Sequence, residues 1–471
     1  MRRRLSPLFL LTVLPLAGCM VGPDYHPKSA PELGVPDHYS VAADSAAKED
    51  LTHWWTRFDD PLLGQLVEQG RTANLDIGQA VARLRQARES LVQSRASLLP
   101  QISASGGYSR NQSIAGTGFN SNNFSIGADA SYQVDLFGGV RRGVEASSAG
   151  YAASGFDYAQ VMISVQAEIA RNYVLARLAQ TQLANARDSL ALQDDNLKIA
   201  GWRVQAGLVS SIDAEQARAQ QAQTAATIPS LEASYNSFVS RLGVLTGQAP
   251  GALKGALEAS KPIPKGPASV ATGIPADTLR QRPDVRSAER NLAAASARIG
   301  VATAQLYPAL SIGGSLGTGG GAIGNLFDTI SGQLFANVAQ TIFDGGRLRS
   351  QVRSSEAAAD GAFLAYKSAV LGALEDTENA IVALHSAQER ETQFTIAQEA
   401  ANNQAILARM QYRSGLTDFT TLNQAESQLL SSRNGLSQAR SDEATALIQL
   451  YLALGGGWDS STIPEAPAHG K

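Results

Sequence analysis

Residues 124–136 read "FSIGADASYQVDL" and alternate between apolar and polar side chains at every step. Seven apolar residues share one face of an extended chain, and six polar or glycine residues share the other. This period of two predicts a β-strand with one apolar and one polar face. In a water-soluble protein such a strand is half buried. In an outer membrane it faces lipid on one side and a lumen on the other, and its length suffices for a tilted crossing.

A proline-free segment of unusual length follows this strand. From about Arg142 to Gln205, apolar residues recur every seven positions, which is typical of a coiled-coil seam. The recurring residues are Met162, Ile169, Ala176, Leu183, Leu190, Leu197 and Val204. A helix over these residues, at 1.5 Å of rise each, would be roughly 96 Å long. An ordinary globular domain does not need a helix of that length.

The same motifs occur twice in the chain, in the same order. The stretch "LLPQISASGGYS" at 98–109 resembles "LYPALSIGGSLG" at 306–317, and "AGLVSSIDAEQA" at 206–217 resembles "SGLTDFTTLNQA" at 414–425, both at an offset of 208. The motif "VDLFGGVRRG" resembles "QTIFDGGRLRS" at an offset of 207. Shared order and spacing predict an internal two-fold repeat.

The repeat predicts the organisation of the domains. One copy covers 60–247 and the other 275–455, with a linker over 248–275 and a C-terminal tail over 456–471. Each copy is predicted to contain a helix, two strands, a very long helix, a turn and a last helix. In the first copy these are a helix over Pro61–Ser97, strands near 100–112 and 122–136, a long helix over 142–205 and a helix over 210–246. In the second copy the strands are near 306–317 and 330–343, the long helix covers 347–413 and the last helix 418–454.

The N-terminus has the three regions of a secretory signal peptide. Arginines at positions 2–4 precede the apolar stretch Leu5–Leu16 and the small residues Ala17 and Gly18. Cys19 follows and is the single cysteine of the chain. Leu-Ala-Gly-Cys resembles the lipobox of bacterial lipoproteins, which implies a signal peptide over 1–18, a lipidated segment over 19–60, and N-palmitoyl and S-diacylglycerol groups on Cys19. The alternatives are an ordinary signal peptide with a chance cysteine, and a buried N-terminal helix.

Composition excludes several classes of function. The net charge is −3, and it would be −6 without the three N-terminal arginines, which argues against nucleic acid as a partner. One cysteine excludes a disulfide framework, and the five histidines have no metal-ligand spacing. The GxSxG motif at 313–317 and the GxGxxG motif at 319–324 lack the strand–turn–helix contexts that catalysis or dinucleotide binding requires. Trp54 and Trp55 are predicted to be packing residues. No enzyme, metal or cofactor is expected.

A membrane location would require several copies of the chain. The longest uncharged run, which contains Ile299–Asn325, is broken by Pro308 and rich in glycine, so any crossing would be made by strands. Four strands leave two open edges, which lipid does not tolerate. Three copies would give twelve strands, enough to enclose a lumen. The long helices would then continue the lumen as a helical tube.

Four stretches resemble a known family. They are "CMVGPDYHP" at 19–27, "HWWTRFDDPLLGQLVEQ" at 53–69, "RQRPDVRSAERNL" at 280–292 and "QTIFDGGRLRS" at 340–350. Together they resemble the TolC-like outer-membrane efflux lipoproteins of the NodT/OprM branch, over nearly the whole chain. The resemblance implies a mainly α homotrimer with a twelve-stranded membrane β-barrel that continues into a long periplasmic α-helical barrel.

The resemblance also implies a function and partners. The chain is expected to be the lipid-anchored outer-membrane duct of a tripartite multidrug efflux system, together with a periplasmic membrane-fusion adaptor and an inner-membrane RND-type pump. Transport would be passive and contribute to antibiotic resistance. The alternatives are a TolC-like duct for type I protein secretion and a lipid-anchored periplasmic coiled-coil scaffold without a channel. An adaptor or scaffold should lack two pairs of alternating strands.

Candidate site residues are carried over from the family to the two turns between the long and the last helices. The expected adaptor contacts are Gly207, Leu208, Val209, Ser210, Gly415, Leu416 and Thr417. The expected gate is Asp418, with Arg413 and Tyr412 as neighbours. The family often has Asp two positions after the second tip glycine, where this chain has Thr417. Asp213 is expected to cap the helix that follows the first turn.

Overall fold

A computed structural model describes residues 20–41, 51–114, 116, 118, 120–273, 275–459, 461 and 463. Cys19 and the predicted signal peptide lie outside the described residues. The helices are α1 (Pro61–Ala73), α2 (Leu75–Ala96), α3 (Gly139–Gln205), α4 (Ser211–Leu245), α5 (Lys254–Leu257), α6 (Pro275–Gln281), α7 (Pro283–Ala304), α8 (Arg347–Arg413) and α9 (Phe419–Ala453). The strands are β1 (Gln101–Asn111), β2 (Ser121–Val134), β3 (Ala309–Gly320) and β4 (Ile330–Ala339).

The described chain divides into two compact units. The first contains the residues up to Pro27, Leu84–Ser154 and Ala288–Tyr366, and it holds the sheet. The second contains Lys28–Arg83, Gly155–Ser287 and the residues from Lys367 onward. Among the described helices, none is both long and apolar enough to span a membrane.

The strands form one antiparallel sheet in the order β1-β2-β3-β4. One row of paired residues across the sheet consists of Ile102, Ala130, Gly314 and Leu334. The neighbouring row consists of Ser103, Asp129, Ser315 and Gln333. Successive rows point to opposite faces, so the alternation read from β2 extends over the whole sheet. Phe335 is an exception on the polar face, where its ring covers Gly313.

The bounds of two strands differ from the prediction. β3 begins at Ala309 and continues to Gly320, three residues beyond the predicted end at 317. β4 ends at Ala339, whereas the sequence predicts a strand to 343. Gln340, a polar residue in the place of the apolar Val134 of the first copy, therefore lies outside the strand. β4 is consequently the shorter strand of its pair, because the chain after it turns toward α8.

The long helices of the two copies have equal lengths. α3 and α8 contain 67 residues each, and α4 and α9 contain 35 each. The first three residues of the predicted seam, Met162, Ile169 and Ala176, are 0–2 % exposed. The remaining four are half-buried. The seven-residue period therefore marks a packed face in the second unit.

The predicted single helix over Pro61–Ser97 is wrong, because the chain breaks at Asn74. The side chain of Asn74 accepts from the backbone N–H groups of Asp76 (2.8 Å) and Ile77 (3.1 Å), so it caps α2. Its amide group also donates to the carbonyl oxygen of Leu245 at 2.9 Å. These bonds hold the buried Asn74 side chain between α1, α2 and the end of α4.

The second copy breaks at the position that corresponds to Asn74 at the repeat offset. Here Arg282 precedes Pro283, and a residue before proline is disfavoured in a helix. Arg282 donates to the carbonyl oxygen of Ala453 at 3.3 Å and pairs with Asp284 and Asp376. Ala453 corresponds to Leu245 at the same offset. In both copies, the residue at the helix break thus donates a hydrogen bond to a carbonyl oxygen at the end of the last helix.

Aromatic residues fill the core of the second unit. Trp54 and Trp55 are each 1 % exposed, as the packing prediction requires. The Trp54 ring stacks on Tyr451 with a centroid distance of 5.3 Å, and Phe58 meets both rings edge-on. Burial of large aromatic side chains stabilises a helical domain that is otherwise rich in alanine.

Candidate functional site

The two helix tips have the same backbone geometry. Gly207 follows α3 with φ +71°, and Gly415 follows α8 with φ +74°. Beyond them, the N–H of Leu208 donates to the carbonyl of Arg203, and the N–H of Leu416 donates to that of Gln411, both at 2.9 Å. This is the hydrogen-bond pattern of a Schellman cap, in which glycine adopts the left-handed conformation at no steric cost. The prediction of two equivalent tip turns is confirmed.

The helices after the turns also begin in the same way. Ser210 caps α4 by accepting from the N–H of Ile212 at 3.3 Å, and Asp418 caps α9 by accepting from the N–H of Thr421 at 2.8 Å. The two caps lie 208 residues apart, as the repeat requires. The expectation that Asp213 caps α4 is wrong. Asp213 lies in the first turn, where a negative charge still interacts favourably with the helix dipole.

The carboxylate of Asp418 is directed to its own helix. The backbone N–H of Thr421 holds the pKa of this exposed carboxyl below its ordinary value, because the hydrogen bond favours the charged form. Arg413, the last residue of α8, is exposed, and within the described residues it forms no ion pair with Asp418. Asp418 and Arg413 therefore lie at the same turn, but their charges do not form an ion pair in the described part of the chain.

Arg203 connects the two tips. Its guanidinium donates to the carbonyl oxygen of Tyr412 at 3.2 Å and lies over the Tyr412 ring, 4.8 Å from its centroid. A Cβ on Gly415 would lie 3.1 Å from the Arg203 Nη2 atom. The end of α3 is thereby held against the end of α8 and its turn. Sequence reasoning missed Arg203, although a basic residue in the last turn before a C-terminal glycine is a recognisable signal.

Tyr412 belongs to a small core just inside the tips. It is 1 % exposed, and its ring meets Phe419 edge-on at 6.0 Å. The other members of this core are Ala200, Ala217, Ala401, Ala405, Ala408, Leu422, Ala425 and Leu429. Alanine permits close approach of helices but buries little apolar area, so few large side chains hold the tip together. The Tyr412 hydroxyl is buried and has no hydrogen-bond partner among the described residues.

A buried carboxylate joins three helices further from the tip. Glu426 of α9 is 7 % exposed. It accepts from the Asn196 side chain of α3 at 2.7 Å and from the Arg409 side chain of α8 at 3.1 Å. Buried charges need such partners, because an unpaired one is strongly destabilising. No local sequence pattern predicts this cluster, because its members are separated by up to 230 residues.

Both tips expose large apolar side chains. Leu208 is 70 % exposed and Leu416 is 79 % exposed, at corresponding positions of the two turns. Nearby, Trp202, Ile212 and Met410 are each more than 60 % exposed. Of the other expected contact residues, Val209 and Thr417 are half-buried and Ser210 is exposed. Exposed apolar groups at equivalent positions are typical of an interaction surface.

Comparisons with known proteins agree with this geometry. The model of the family described as "Outer membrane efflux protein" matches residues 66–248 and 274–456. Nodulation protein T of Rhizobium leguminosarum bv. trifolii is 31 % identical over 97 % of this chain and 98 % of its own length. The pyoverdine export outer membrane protein OpmQ of Pseudomonas aeruginosa is 30 % identical over 91 % of this chain and 92 % of its own length. The solved outer-membrane channel OprN is 33 % identical, with a TM-score of 0.84 over 93 % of this chain and all of that one.

The chain belongs to the outer membrane efflux protein family. It is an outer-membrane efflux channel with a TolC-like fold, and the family and fold are those of channel proteins. The predictions of family, fold class, outer-membrane location and efflux function are confirmed. The two matched stretches lie close to the two copies read from the repeat.

Proposed function

We propose that the chain is the passive exit duct of a tripartite small-molecule efflux system and that it is closed at its helix tips. Substrates would enter through the tips when the helix pairs separate and leave through the membrane part of the channel. The single observation that carries this proposal is the contact of Arg203 with Tyr412, which ties the two tips together. A contact of this kind must break before the turns can separate.

The working state is proposed to be a homotrimer. β1 and β4 each have one partner strand and therefore expose unpaired backbone groups along an edge. The apolar face carries Ile102, which is 77 % exposed, and Leu334, which is 90 % exposed. If three copies join their sheets edge to edge in the membrane, the backbone groups of the edges are paired and the apolar face contacts lipid. The family resemblance favours three copies.

Reconstitution of the full-length protein in planar bilayers tests the duct proposal. Purified protein should give discrete conductance steps of low open probability, because the tips are closed at rest. A scaffold without a channel would give none. The absence of conductance from both the wild-type protein and a variant in which the contact between the tips is removed would contradict the proposal.

The tip turns are proposed to dock a periplasmic membrane-fusion adaptor, which in turn would bind an inner-membrane RND-type pump. Leu208 and Leu416 supply equivalent apolar contacts, with Gly207, Val209, Ser210, Gly415 and Thr417 beside them. A photo-crosslinking residue at position 416 should capture the adaptor in cells. The matched control is Ile396, which is 59 % exposed on α8 but outside the tip. Equal capture from both positions would contradict tip docking.

Asp418 and Arg413 are proposed to line the gate of the assembled trimer, and Tyr412, which is 1 % exposed, is proposed to support them from the core behind the turn. In one chain, Asp418 caps α9 and Arg413 is exposed, so both side chains are accessible to neighbouring copies. Three carboxylates brought close to one another around an axis would bind cations, and the bound cations would hold the tips together. Their contribution depends on assembly and can be measured only in the trimer.

Cys19 is proposed to carry N-palmitoyl and S-diacylglycerol groups, which would anchor the mature chain in the outer membrane. The support is the signal peptide and lipobox pattern that precedes it. Metabolic labelling with palmitate tests the assignment. Label should be incorporated into the wild-type protein and lost in Cys19→Ser. Unlabelled wild-type protein from cells whose other lipoproteins are labelled would contradict it.

A further inference from the structure

Residues 20–25, which we call the strap, are held by a buried arginine. Arg142 lies in the first turn of α3, and its side chain is 2 % exposed. Its guanidinium donates to the carbonyl oxygens of Val21 (3.2 Å) and Gly22 (3.3 Å) and to the carboxylate of Asp24 (2.6 Å). Most of the hydrogen bonds of a buried cation thus go to a short segment at the N-terminus.

Glycines shape the place where the strap lies. Gly138 has φ +79°, and a Cβ there would lie 2.9 Å from the Met20 α-carbon. Gly300 of α7 allows similarly close approach, since a Cβ there would lie 2.7 Å from Arg142 Cγ and 2.9 Å from the Val21 carbonyl oxygen. Gly22 of the strap, with φ +89°, packs on the backbone of Gly300. Side chains at these positions would fill the space that the strap occupies.

Further bonds hold both ends of the strap. The N–H of Val21 donates to the carbonyl oxygen of Phe137 at 3.1 Å. At the other end, the hydroxyl of Tyr25 donates to Glu289 of α7 at 2.9 Å. Phe137 follows β2 and stacks on Tyr307, which precedes β3, at a centroid distance of 4.6 Å. The strap therefore lies where the strand pair of one copy meets that of the other.

The second copy of the repeat provides an internal comparison. Arg349 corresponds to Arg142 at the offset of 207 that relates the two glycine-rich motifs. Arg349 is exposed, whereas Arg142 is 1 % exposed. The same motif therefore buries its arginine where the strap covers it and leaves it exposed in the copy without a strap. Burial of Arg142 is thus a property of the contact with the strap, and the motif alone does not produce it.

We propose that Arg142, with Gly138 and Gly300, forms a receptor site for the strap. Occupation of the site fixes Met20 beside the junction of β2 and β3.

Limited digestion with chymotrypsin tests the proposal on the full-length protein. Cleavage after Tyr25 removes the strap, and the intact mass of the chain reports it. In Arg142→Gln this cleavage should accelerate at least about tenfold, because the strap loses its charged donor and opens more often. The matched control is Arg141→Gln, which removes a neighbouring, more exposed arginine that pairs with Asp135. This control should be cleaved at the wild-type rate.

A second variant keeps the test independent of folding defects. Asp24→Asn removes only the ionic contact of a carboxylate that is 70 % exposed, and it should accelerate cleavage after Tyr25 about threefold. Cleavage after Tyr132, within the paired strand β2, reports general opening in the same digest. Wild-type rates in both variants would overturn the proposal. So would equal acceleration in Arg141→Gln, or equal acceleration at Tyr25 and Tyr132 in both variants.

Discussion

Replacement of Arg203 by alanine should open the channel, because this side chain links the end of α3 to the end of α8 and its turn. Arg203→Ala removes the hydrogen bond to the Tyr412 carbonyl oxygen and the stacking of the guanidinium on the Tyr412 ring. A hydrogen bond from a charged donor that is partly exposed contributes about 1.5 kcal/mol, and the cation–π contact about 0.5 kcal/mol. If both are lost on opening, the closed state loses about 2 kcal/mol per chain, which corresponds to roughly a thirtyfold change in the ratio of closed to open tips.

Open probability in planar bilayers is the direct assay, and uptake of a large antibiotic by cells is the second. Both should rise in Arg203→Ala. The matched control is Arg218→Ala on α4, which removes an exposed arginine paired within its own helix with Glu215. This control should behave as the wild-type protein. An unchanged open probability in Arg203→Ala, with the trimer intact, would refute the assignment of Arg203 as a tie between the tips.

The remaining predictions concern single side chains of the second unit. Asp418→Ala should raise conductance and antibiotic uptake if the carboxylate closes the trimer. If conductance is unchanged and only the melting temperature falls, Asp418 caps α9 and does not act as a gate. Tyr412→Phe should leave the melting temperature and the conductance unchanged, because the hydroxyl has no partner among the described residues of the chain; a lower melting temperature would contradict this. Burial, and then the hydrogen bond with Glu391, raise the pKa of Glu443, so the folded protein should lose stability as the pH rises through that raised value. Glu443→Gln should therefore increase the melting temperature more at about pH 8 than at about pH 4, and a constant gain, or an equal gain in the exposed control Glu399→Gln, would contradict this.

Features with local causes could be predicted from the sequence. The alternation from Phe124 is a property of neighbouring residues, and it gave the strand and both of its faces. Gly207 and Gly415 could be assigned to turns because glycine is the residue that adopts positive φ without strain. Because the two copies share the same motifs, an assignment in one copy also applies to the other. The two tip turns therefore correspond residue by residue.

Features with distant causes could not be predicted. Asn74 is neither glycine nor proline; it breaks the helix by capping α2, and its amide is held in place by a carbonyl 171 residues away. In the second copy Pro283 was a usable local signal. Asp213 and Ser210 are both acceptable capping residues three positions apart, and the observed turn places Ser210 at the cap. The tie made by Arg203 joins residues 209 positions apart, so it depends on how the two copies pack.

Deletion of the gene, with measurement of small-molecule accumulation and of secreted proteins in the same strain, tests the efflux function most directly. Pump substrates should accumulate in the deletion strain, plasmid-borne wild-type protein should restore their export, and the secreted proteins should be unchanged. Loss of a secreted protein with unchanged accumulation of small molecules would contradict the efflux function and favour a secretion duct.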